Sequence, residues 1–225
     1  MTRREQLATA KAEETRERIV DAALRLFREK GFDETTMRDI AAAANVATGA
    51  AYYYFRSKED LVMAFYLRTA EVARAVTFPA IERTTDLRKR IRAVIDANLE
   101  HFSDHRRLLR ALVRIGMDPS HPLSPFGKET EPIRNQGIDV FRQAIEGAAT
   151  KVPKDVQPEM PRLLWFYQLG IMLFWIYDES PSQRRTHKLL DGSLDLMVRL
   201  IQLSSLPLMG PLRKRVVNLL RDVAE

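Results

Sequence analysis

Two histidines give the sequence its closest approach to a chemical site. His101 and His105 are four residues apart, so on a helix both imidazoles would share one face, with Asp104 between them and His121 in the next segment. Imidazoles at this spacing can bind a divalent metal, but a fourth firm ligand of the kind that a zinc site needs is missing. We therefore expect no metal and no cofactor.

Patterns that would support catalysis are absent from the sequence. It contains no cysteine, no nucleophile elbow and no phosphate-binding loop, and its isolated Ser, His and Asp residues lack a spacing that would couple them. We therefore expect this protein not to be an enzyme. The lack of cysteine also fits a reducing cytoplasm, which is the location that we expect.

A set of arginines at every fourth position is a further candidate for binding. Arg106, Arg110 and Arg114 would place three guanidinium groups on one face of a helix. Such a face would suit an acidic ligand, for example a fatty acyl thioester. A solvated helix face is the more frequent reason for a pattern of this kind.

The elements that must position any functional side chain are defined best from residue 15 onward. Apolar residues at helical spacing predict a helix over residues 15–30, and Gly31 ends it because glycine tolerates the left-handed conformation that follows many helices. A second helix begins at Thr36, where the threonine hydroxyl and Asp39 approximate a capping box. Two helices are thus predicted from local signals alone.

A turn and a third helix come next. Asn45 suits the turn because asparagine adopts left-handed backbone angles at little cost. Residues 48–55 form the third helix, and Ser57 with Asp60 forms another capping box, which starts a longer helix. Two short helices joined in this way form a helix-turn-helix, whose second helix lies in the DNA major groove in proteins that use the motif.

This segment resembles the DNA-binding domain of the TetR family of transcriptional regulators. A single helix-turn-helix pattern is a weak signal, but many matches at fixed spacing are specific. The matching residues are Ile19, Ala22, Ala23, Phe27, Gly31, Phe32, Thr35, Thr36, Asp39, Ile40, Ala41, Val46, Gly49, Tyr52, Tyr54, Phe55, Lys58 and Leu61.

The resemblance implies a set of DNA-contacting residues. Two at the start of the second helix would touch the phosphate backbone, and three that open the third helix would face base edges. Two tyrosines would reach phosphates or thymine methyl groups, and a lysine at the start of the fourth helix would bind a phosphate. In this order, the residues are Thr36, Arg38, Thr48, Gly49, Ala50, Tyr52, Tyr53 and Lys58.

Four positions qualify this assignment. Ala47 stands where the family often has a serine cap, and Tyr53 stands where histidine is frequent. Ala50 and Ala51 offer no hydrogen bonds, so we expect base reading through the third helix to be sparse. Packing into the core is the alternative role for the rings of Tyr52 and Tyr53.

The net charge of +6 does not come from the helix-turn-helix segment. Residues 1–60 contain eleven Lys or Arg and eleven Asp or Glu, whereas residues 61–225 contain twenty-five and nineteen. DNA binding must therefore depend on the local placement of a few groups rather than on the global charge.

The rest of the chain consists of predicted helices separated by proline-containing loops. The longest apolar run, Leu163–Tyr177, contains Gln168 and is too short to span a membrane, so we expect no membrane partner. No segment alternates as a strand does, and we predict an all-α protein. The predicted helices cover residues 57–78, 86–102, 104–116, 126–149, 160–179, 183–204 and 211–224.

These patterns predict three parts of the chain. Residues 1–14 are a flexible arm, residues 15–60 the helix-turn-helix domain, and residues 61–225 a helical effector-binding and dimerisation domain. Contact of the arm with the minor groove, through basic residues such as Lys11, is an alternative to a plain solvated tail.

The apolar run and the helix after it resemble the hairpin through which members of the TetR family dimerise. The resemblance implies a homodimer with a four-helix interface, which would be apolar like a core cut open. A monomer whose body buries both faces is the alternative. The predicted interface residues are Trp175, Leu190, Leu194, Met197 and Ile201.

The resemblance also implies a cavity for a small, largely apolar effector in the helical body. Gln168 is an amide among apolar neighbours and therefore needs a polar partner, which a ligand could supply. For the other candidates, a place in the core is the alternative to ligand contact. The candidates are Phe102, Leu109, Met117, Phe141, Phe166, Gln168, Leu169 and Met172.

Together the residues and the resemblance predict a ligand-responsive transcriptional regulator, a repressor that binds a palindromic operator as a homodimer. Two recognition helices about one turn of DNA apart would read such a palindrome together. The alternative of activation stays open, because promoter geometry decides it. The sequence identifies neither the effector nor the operator.

Overall fold

Ten α-helices make up most of residues 3–222, which are the residues that this computed structural model describes. This part of the chain contains no strand, so the predicted all-α class is confirmed. Three short 3₁₀ helices lie at Ser103–His105, Pro181–Gln183 and Pro207–Met209. The α-helices are α1 Arg3–Glu29, α2 Met37–Ala43, α3 Thr48–Tyr54, α4 Lys58–Glu82, α5 Leu87–His101, α6 Arg106–Gly116, α7 Glu131–Glu146, α8 Met160–Tyr177, α9 Arg184–Ser204 and α10 Gly210–Asp222.

The helices form two compact units. The first unit contains the residues up to Thr69 together with Asp104–Glu131, and the second contains Ala70–Ser103 and the residues from Pro132 onward. The sequence analysis assigned residues 104–131 to the effector-binding and dimerisation domain. The pattern predicts that α6 is a helix, but it does not predict which other helices α6 packs against. By its packing, α6 belongs with the helix-turn-helix.

Helix α1 begins at Arg3 rather than at residue 15. The predicted flexible arm over residues 1–14 is therefore corrected, since all of the arm that the structure describes is helical. The reason lies in composition, because residues 3–14 are rich in Ala, Glu, Gln, Lys and Arg, which favour helix even without an apolar face. Gly31 follows the helix with φ +98°, as the sequence predicted.

The core of the first unit joins α1 to the two short helices. Ile19 and Phe27 of α1 are fully buried, as are Ile40 of α2 and Ala51 of α3. The ring of Phe27 lies 5.2 Å from that of Phe32, centre to centre, so the chain turns back onto the apolar face after α1. Asn45, with φ 54°, makes the turn between α2 and α3.

In the second unit, Arg90 closes the ends of two helices. Its buried guanidinium donates to the carbonyls of Ile81 and Thr84 at the end of α4, and to those of Gln143 and Ala144 in the last turn of α7. Carbonyls at a helix end lack the partners of the helix interior, so this one side chain caps the ends of both helices, and the carbonyl of Gln143 also accepts from the backbone N of Gly147 at 3.2 Å. Four carbonyl acceptors satisfy the buried cation in place of a carboxylate.

Candidate nucleic-acid interface

Helix α2 starts with a complete capping box. Oγ1 of Thr36 accepts from the backbone N of Asp39 at 3.1 Å, and Oδ2 of Asp39 accepts from the backbone N of Thr36 at 3.1 Å. The hydroxyl and the backbone N–H of Thr36 hold the pKa of the Asp39 carboxyl below its ordinary value, because both donate to it. Thr36 thus holds the helix start, whereas the side chain of Arg38 is exposed.

Helix α3 is anchored by two buried side chains. Ala51 is fully buried, and Phe55, which ends the helix, is nearly so. Ala47 precedes the helix without a side-chain cap, as its departure from the family pattern predicted. Since Ala51 faces inward, helical geometry places Gly49 and Tyr53 on the opposite, outward side.

The outward side of α3 presents two tyrosine rings and, at Gly49, a position without a side chain. Tyr53 is 85% exposed and Tyr52 is 50% exposed, so neither ring packs into the core. A Cβ added at Gly49 would meet no atom within 4 Å. Thr48 is exposed, and Ala50 is half-buried. Of the residues predicted to contact DNA from this helix, Thr48, Gly49, Tyr52 and Tyr53 are therefore accessible, and Ala50 is accessible in part.

Lys58 occupies a different environment from the one expected. Its Nζ donates to the carbonyl of Phe32 at 2.6 Å and to that of Asp33 at 3.2 Å, and it lies 4.6 Å from the centre of the Phe32 ring. The lysine thereby connects the start of α4 to the loop after α1. A phosphate contact would have to share this ammonium group with the two carbonyls.

Sequence reasoning missed the contribution of Arg107. Its guanidinium, on α6, donates to the carbonyls of Arg28, Glu29 and Lys30 at the end of α1. Near it, Arg114 forms an ion pair with Asp33, with Nη2 and Oδ2 2.9 Å apart. No sequence signal could have indicated these contacts, because the partners of Arg107 are backbone atoms far away in the chain.

The two histidines of the sequence pattern pack on aromatic rings. The ring of His105 packs on Phe65 with centroids 4.7 Å apart, and that of His101 packs on Phe102 at 5.4 Å. Over the residues that the structure describes, no group of three or more His, Cys, Asp and Glu side chains could hold a metal ion. Within the same residues, no helix is both long enough and apolar enough to cross a membrane.

Arg56 is a candidate phosphate contact that sequence reasoning also missed. Its side chain is exposed directly after α3, while its backbone N donates to Oδ2 of Asp60 at 2.8 Å. The bond to Asp60 fixes the start of α4 beside the recognition helix. The position of Arg56 shortly after Tyr53 in the sequence is the feature that could have indicated this role.

The predicted effector residues fall in both units. Leu109 and Met117 belong to the first unit, and Met117 is 67% exposed, which does not fit an enclosed site. The others belong to the second unit, where Phe102, Phe141 and Gln168 are buried and Phe166 is exposed. Leu169 and Met172 have intermediate exposure. Burial of this kind fits both the predicted wall and the alternative role in the core.

Gln168 has a polar partner within the chain. Its Oε1 accepts from Nδ2 of Asn98 at 3.3 Å, and the same Nδ2 donates to the carbonyl of Val94 at 2.8 Å. The structure thus supplies from α5 the partner that the sequence analysis expected from a ligand. A cavity of about 180 Å³ in the second unit has another lining, with Arg142, Lys154 and Pro161 among its residues and none of the predicted effector contacts.

Four of the five predicted dimer residues need correction. Trp175, Leu190, Leu194 and Ile201 are buried within the single chain, and Met197 has intermediate exposure. The sequence pattern identified the stripe that faces the core, because both faces of these helices are apolar. The exposed apolar residues of α8 and α9 are Phe166, Leu173, Phe174, Tyr177, Leu189, Leu196, Leu200 and Leu203.

Comparison with known families gives two matches along the chain. Residues 19–65 match the family described as "Bacterial regulatory proteins, tetR family". Residues 90–216, more than half of the chain, match "Tetracyclin repressor-like, C-terminal domain". The first match contains α2, α3 and the start of α4, and the second extends from α5 into α10.

Individual relatives are similar mainly in the N-terminal part. The chain is 50% identical over 50 residues to the HTH-type transcriptional regulator AcrR of Shigella flexneri, covering 22% of this chain and 23% of the relative. It is 32% identical over 108 residues to "Probable acrEF/envCD operon repressor" of Escherichia coli (strain K12), covering 48% and 41%. The chain thus spans less than half the length of either relative.

A solved structure shows that the fold is shared over most of the chain. It is a tetR-family transcriptional regulator from Streptomyces coelicolor, with a TM-score of 0.65 and 20% sequence identity. The match covers 92% of this chain and 89% of that one. At this identity, the likeness concerns the fold alone.

Proposed function

The chain belongs to the tetR family of bacterial regulatory proteins, and we propose that it is a repressor that binds a palindromic operator as a homodimer until a small molecule releases it. The observation that carries the proposal is the outward surface of α3. Tyr53 and Gly49 lie accessible on that surface, while Ala51 and Phe55 hold the helix in the unit from its other side. This is the geometry that a recognition helix needs in the major groove.

The exposed apolar residues of α8 and α9 support the homodimer. Leu173 and Tyr177 follow one another at helical spacing on α8, and Leu196, Leu200 and Leu203 do so on α9. Exposed apolar residues on two helices that pack against each other suit burial against a second copy. Dimerisation would also place two α3 helices on one palindrome.

The effector site is proposed within the second unit. Gln168 is only 7% exposed, and its Oε1 accepts from Asn98, so its amide N–H₂ is the group proposed to donate to a ligand. Apolar residues around the amide suit a largely apolar molecule. A hundredfold loss of operator affinity on ligand binding requires about 2.7 kcal/mol of coupling, which lies within the usual allosteric range.

Repression is proposed rather than activation because one relative is described as an operon repressor. The proposed site of action is the cytoplasm, because a repressor has to reach operators on the chromosome. The effector is proposed as a small molecule, and no further cofactor is invoked.

Selection of binding sites from sheared genomic DNA with the purified protein tests this proposal. We expect one or a few palindromic sites, each bound by a dimer in an electrophoretic mobility shift assay. Tyr53→Ala should lose this binding, while Arg142→Ala, an exposed change on α7 of the second unit, should keep it. A folded protein that enriches no site would contradict the proposal.

A further inference from the structure

The cavity of about 180 Å³ in the second unit takes no part in the proposed operator and effector binding. It lies between the last two turns of α7 and the segment that leads into α8, and we call it the α7–α8 cleft. Its occupant has to be inferred from the chemistry of its lining. The lining includes Ile145, Glu146, Lys154, Gln157, Pro158 and Pro161.

The walls of the α7–α8 cleft carry charges of both signs. Glu146 belongs to α7, whereas Lys154 and Gln157 belong to the segment before α8, and all three side chains are exposed. Among the residues whose side chains the structure describes, neither Glu146 nor Lys154 has an ion-pair partner. Arg142 also borders the cleft, but it pairs with Asp139 of its own helix. The cleft therefore presents one carboxylate and one ammonium group that are each available to a ligand.

The buried residues of the cleft are apolar. Ile145 is 5% exposed, Pro161 is buried at the start of α8, and the exposed Pro158 adds a third apolar residue. Sites for drug-sized ligands measure about 300–1,000 Å³, so this smaller cavity suits a molecule of roughly the size of an amino acid. The lining thus combines two opposite charges with an apolar surface for a short side chain.

Both walls of the cleft are held in place by residues that do not line it. On α7, the guanidinium of Arg90 donates to the carbonyls of Gln143 and Ala144, directly before the cleft residues of that helix. On the other wall, Oδ2 of Asp155 accepts from Nε of Arg213 at 2.6 Å, next to the lysine of the cleft. A site whose walls are fixed in this way loses less conformational entropy when a ligand binds.

We propose that the α7–α8 cleft binds a small zwitterion with an apolar side chain, that is, a free aliphatic or aromatic amino acid. Its ammonium group pairs with Glu146 and its carboxylate pairs with Lys154, each through a charge-assisted hydrogen bond. Its side chain lies against Ile145 and Pro161. A ligand with a single charge leaves one of the two protein groups without a partner. This site is separate from operator binding and from the proposed effector site around Gln168.

The test compares amino acids with analogues that each lack one charge. The probes are L-valine, L-leucine and L-phenylalanine, titrated into the full-length protein without DNA and followed by ligand-observed NMR. For leucine, 4-methylpentanoate lacks the ammonium group and 3-methylbutylamine lacks the carboxylate. We expect saturable binding of at least one amino acid with a Kd of about 1 mM or below. Each analogue should bind at least about fivefold more weakly, because it loses one charge-assisted bond.

Protein variants assign each charge of the ligand to a residue. Lys154→Gln should bind leucine and 3-methylbutylamine equally well, because the carboxylate then has no cationic partner. Glu146→Gln should bind leucine and 4-methylpentanoate equally well, for the corresponding reason. Lys151→Gln is the matched control, since Lys151 is an exposed lysine of the same segment that does not line the cleft. Thermal melting checks that each variant folds.

The outcomes do not depend on the proposed function, because no DNA is present. Saturable binding that loses its preference for the zwitterion in the two cleft variants, and keeps it in Lys151→Gln, supports the inference. Absence of saturable binding by all three amino acids up to about 10 mM overturns it. Equal binding of leucine and its two analogues by the wild-type protein also overturns it, as does an unchanged preference in both cleft variants. Selection of operator sites from genomic DNA decides the proposed function separately.

Discussion

Nη1 of Arg107 lies 2.7 Å from the carbonyl oxygen of Glu29. The same guanidinium donates to the carbonyls of Arg28 and Lys30, each at 3.1 Å. Because the last carbonyls of a helix have no partner within it, this side chain of α6 caps the C-terminus of α1. Helix α6, which comes much later in the sequence than the helix-turn-helix, therefore completes the packing of the first unit.

Replacement of Arg107 with alanine should destabilise the first unit. We expect the free energy of unfolding to fall by about 1–2 kcal/mol, because three carbonyls lose a charged donor at an exposed site. Operator affinity should fall as well, since α1 packs on the helix-turn-helix. Thermal unfolding and mobility shift assays measure the two effects.

Arg142→Ala is the control for Arg107→Ala, because Arg142 is exposed and pairs with Asp139 of its own helix. Arg107→Lys should be intermediate, since an ammonium group keeps the charge but cannot span three carbonyls. Unchanged melting and binding in Arg107→Ala would show that the cap has no energetic role.

Lys58→Ala distinguishes two roles of one ammonium group. If the bonds to Phe32 and Asp33 are its main contribution, the variant should melt at lower temperature, and the salt dependence of DNA binding should keep its slope. If Lys58 contacts a phosphate, the slope of log affinity against log salt should fall by about one. We expect loss of stability, and a normal melting temperature with a reduced slope would contradict the structural role.

Gly49→Ala should change stability and DNA binding in opposite directions. Alanine is a better helix former than glycine by about 0.5–1 kcal/mol, and the structure has room for its Cβ. The variant should therefore melt at higher temperature. Its operator affinity should fall at least about fivefold, because the added methyl group projects from the outward surface of α3 that is proposed to lie in the major groove. An unchanged affinity would show that α3 does not approach DNA at this point.

A pair of leucines on α9 tests the corrected dimer surface. Leu200 is exposed and Leu194 is fully buried, although both are leucines of one helix. Leu200→Glu should give a folded monomer in analytical ultracentrifugation, whereas Leu194→Glu should unfold the protein because it buries a charge. A Leu200→Glu protein that stays dimeric would exclude this face as the interface.

The structural features that could be predicted best from the sequence are those that local signals determine. Gly31 after α1 and the capping box of Thr36 with Asp39 are short-range features, and the structure contains both. The helix-turn-helix could be recognised for the same reason, since its turn and caps lie within a few residues of one another. The starts and ends of α4 to α10 agree with the predicted ranges to within five residues, and the largest difference is the start of α7.

What the sequence could not predict depends on long-range packing. The stripe with Leu190 and Leu194 and the stripe with Leu196 and Leu200 are both apolar, so hydrophobic pattern alone cannot decide which one faces the core. The same holds for Lys58, whose partners are backbone carbonyls that no residue pattern reveals. Assignment of these residues required the three-dimensional arrangement.

The guanidinium of Arg90 stands where a side chain at position 147 would begin, so a Cβ on Gly147 would overlap it. Four carbonyl oxygens hold Arg90 in that place, which prevents it from moving aside cheaply. Any larger residue at 147 becomes tolerable only after Arg90 is gone, yet loss of Arg90 alone removes a buried donor from all four carbonyls. The two positions are therefore epistatic, and each mutational path between two well-folded forms passes through a poorly folded intermediate.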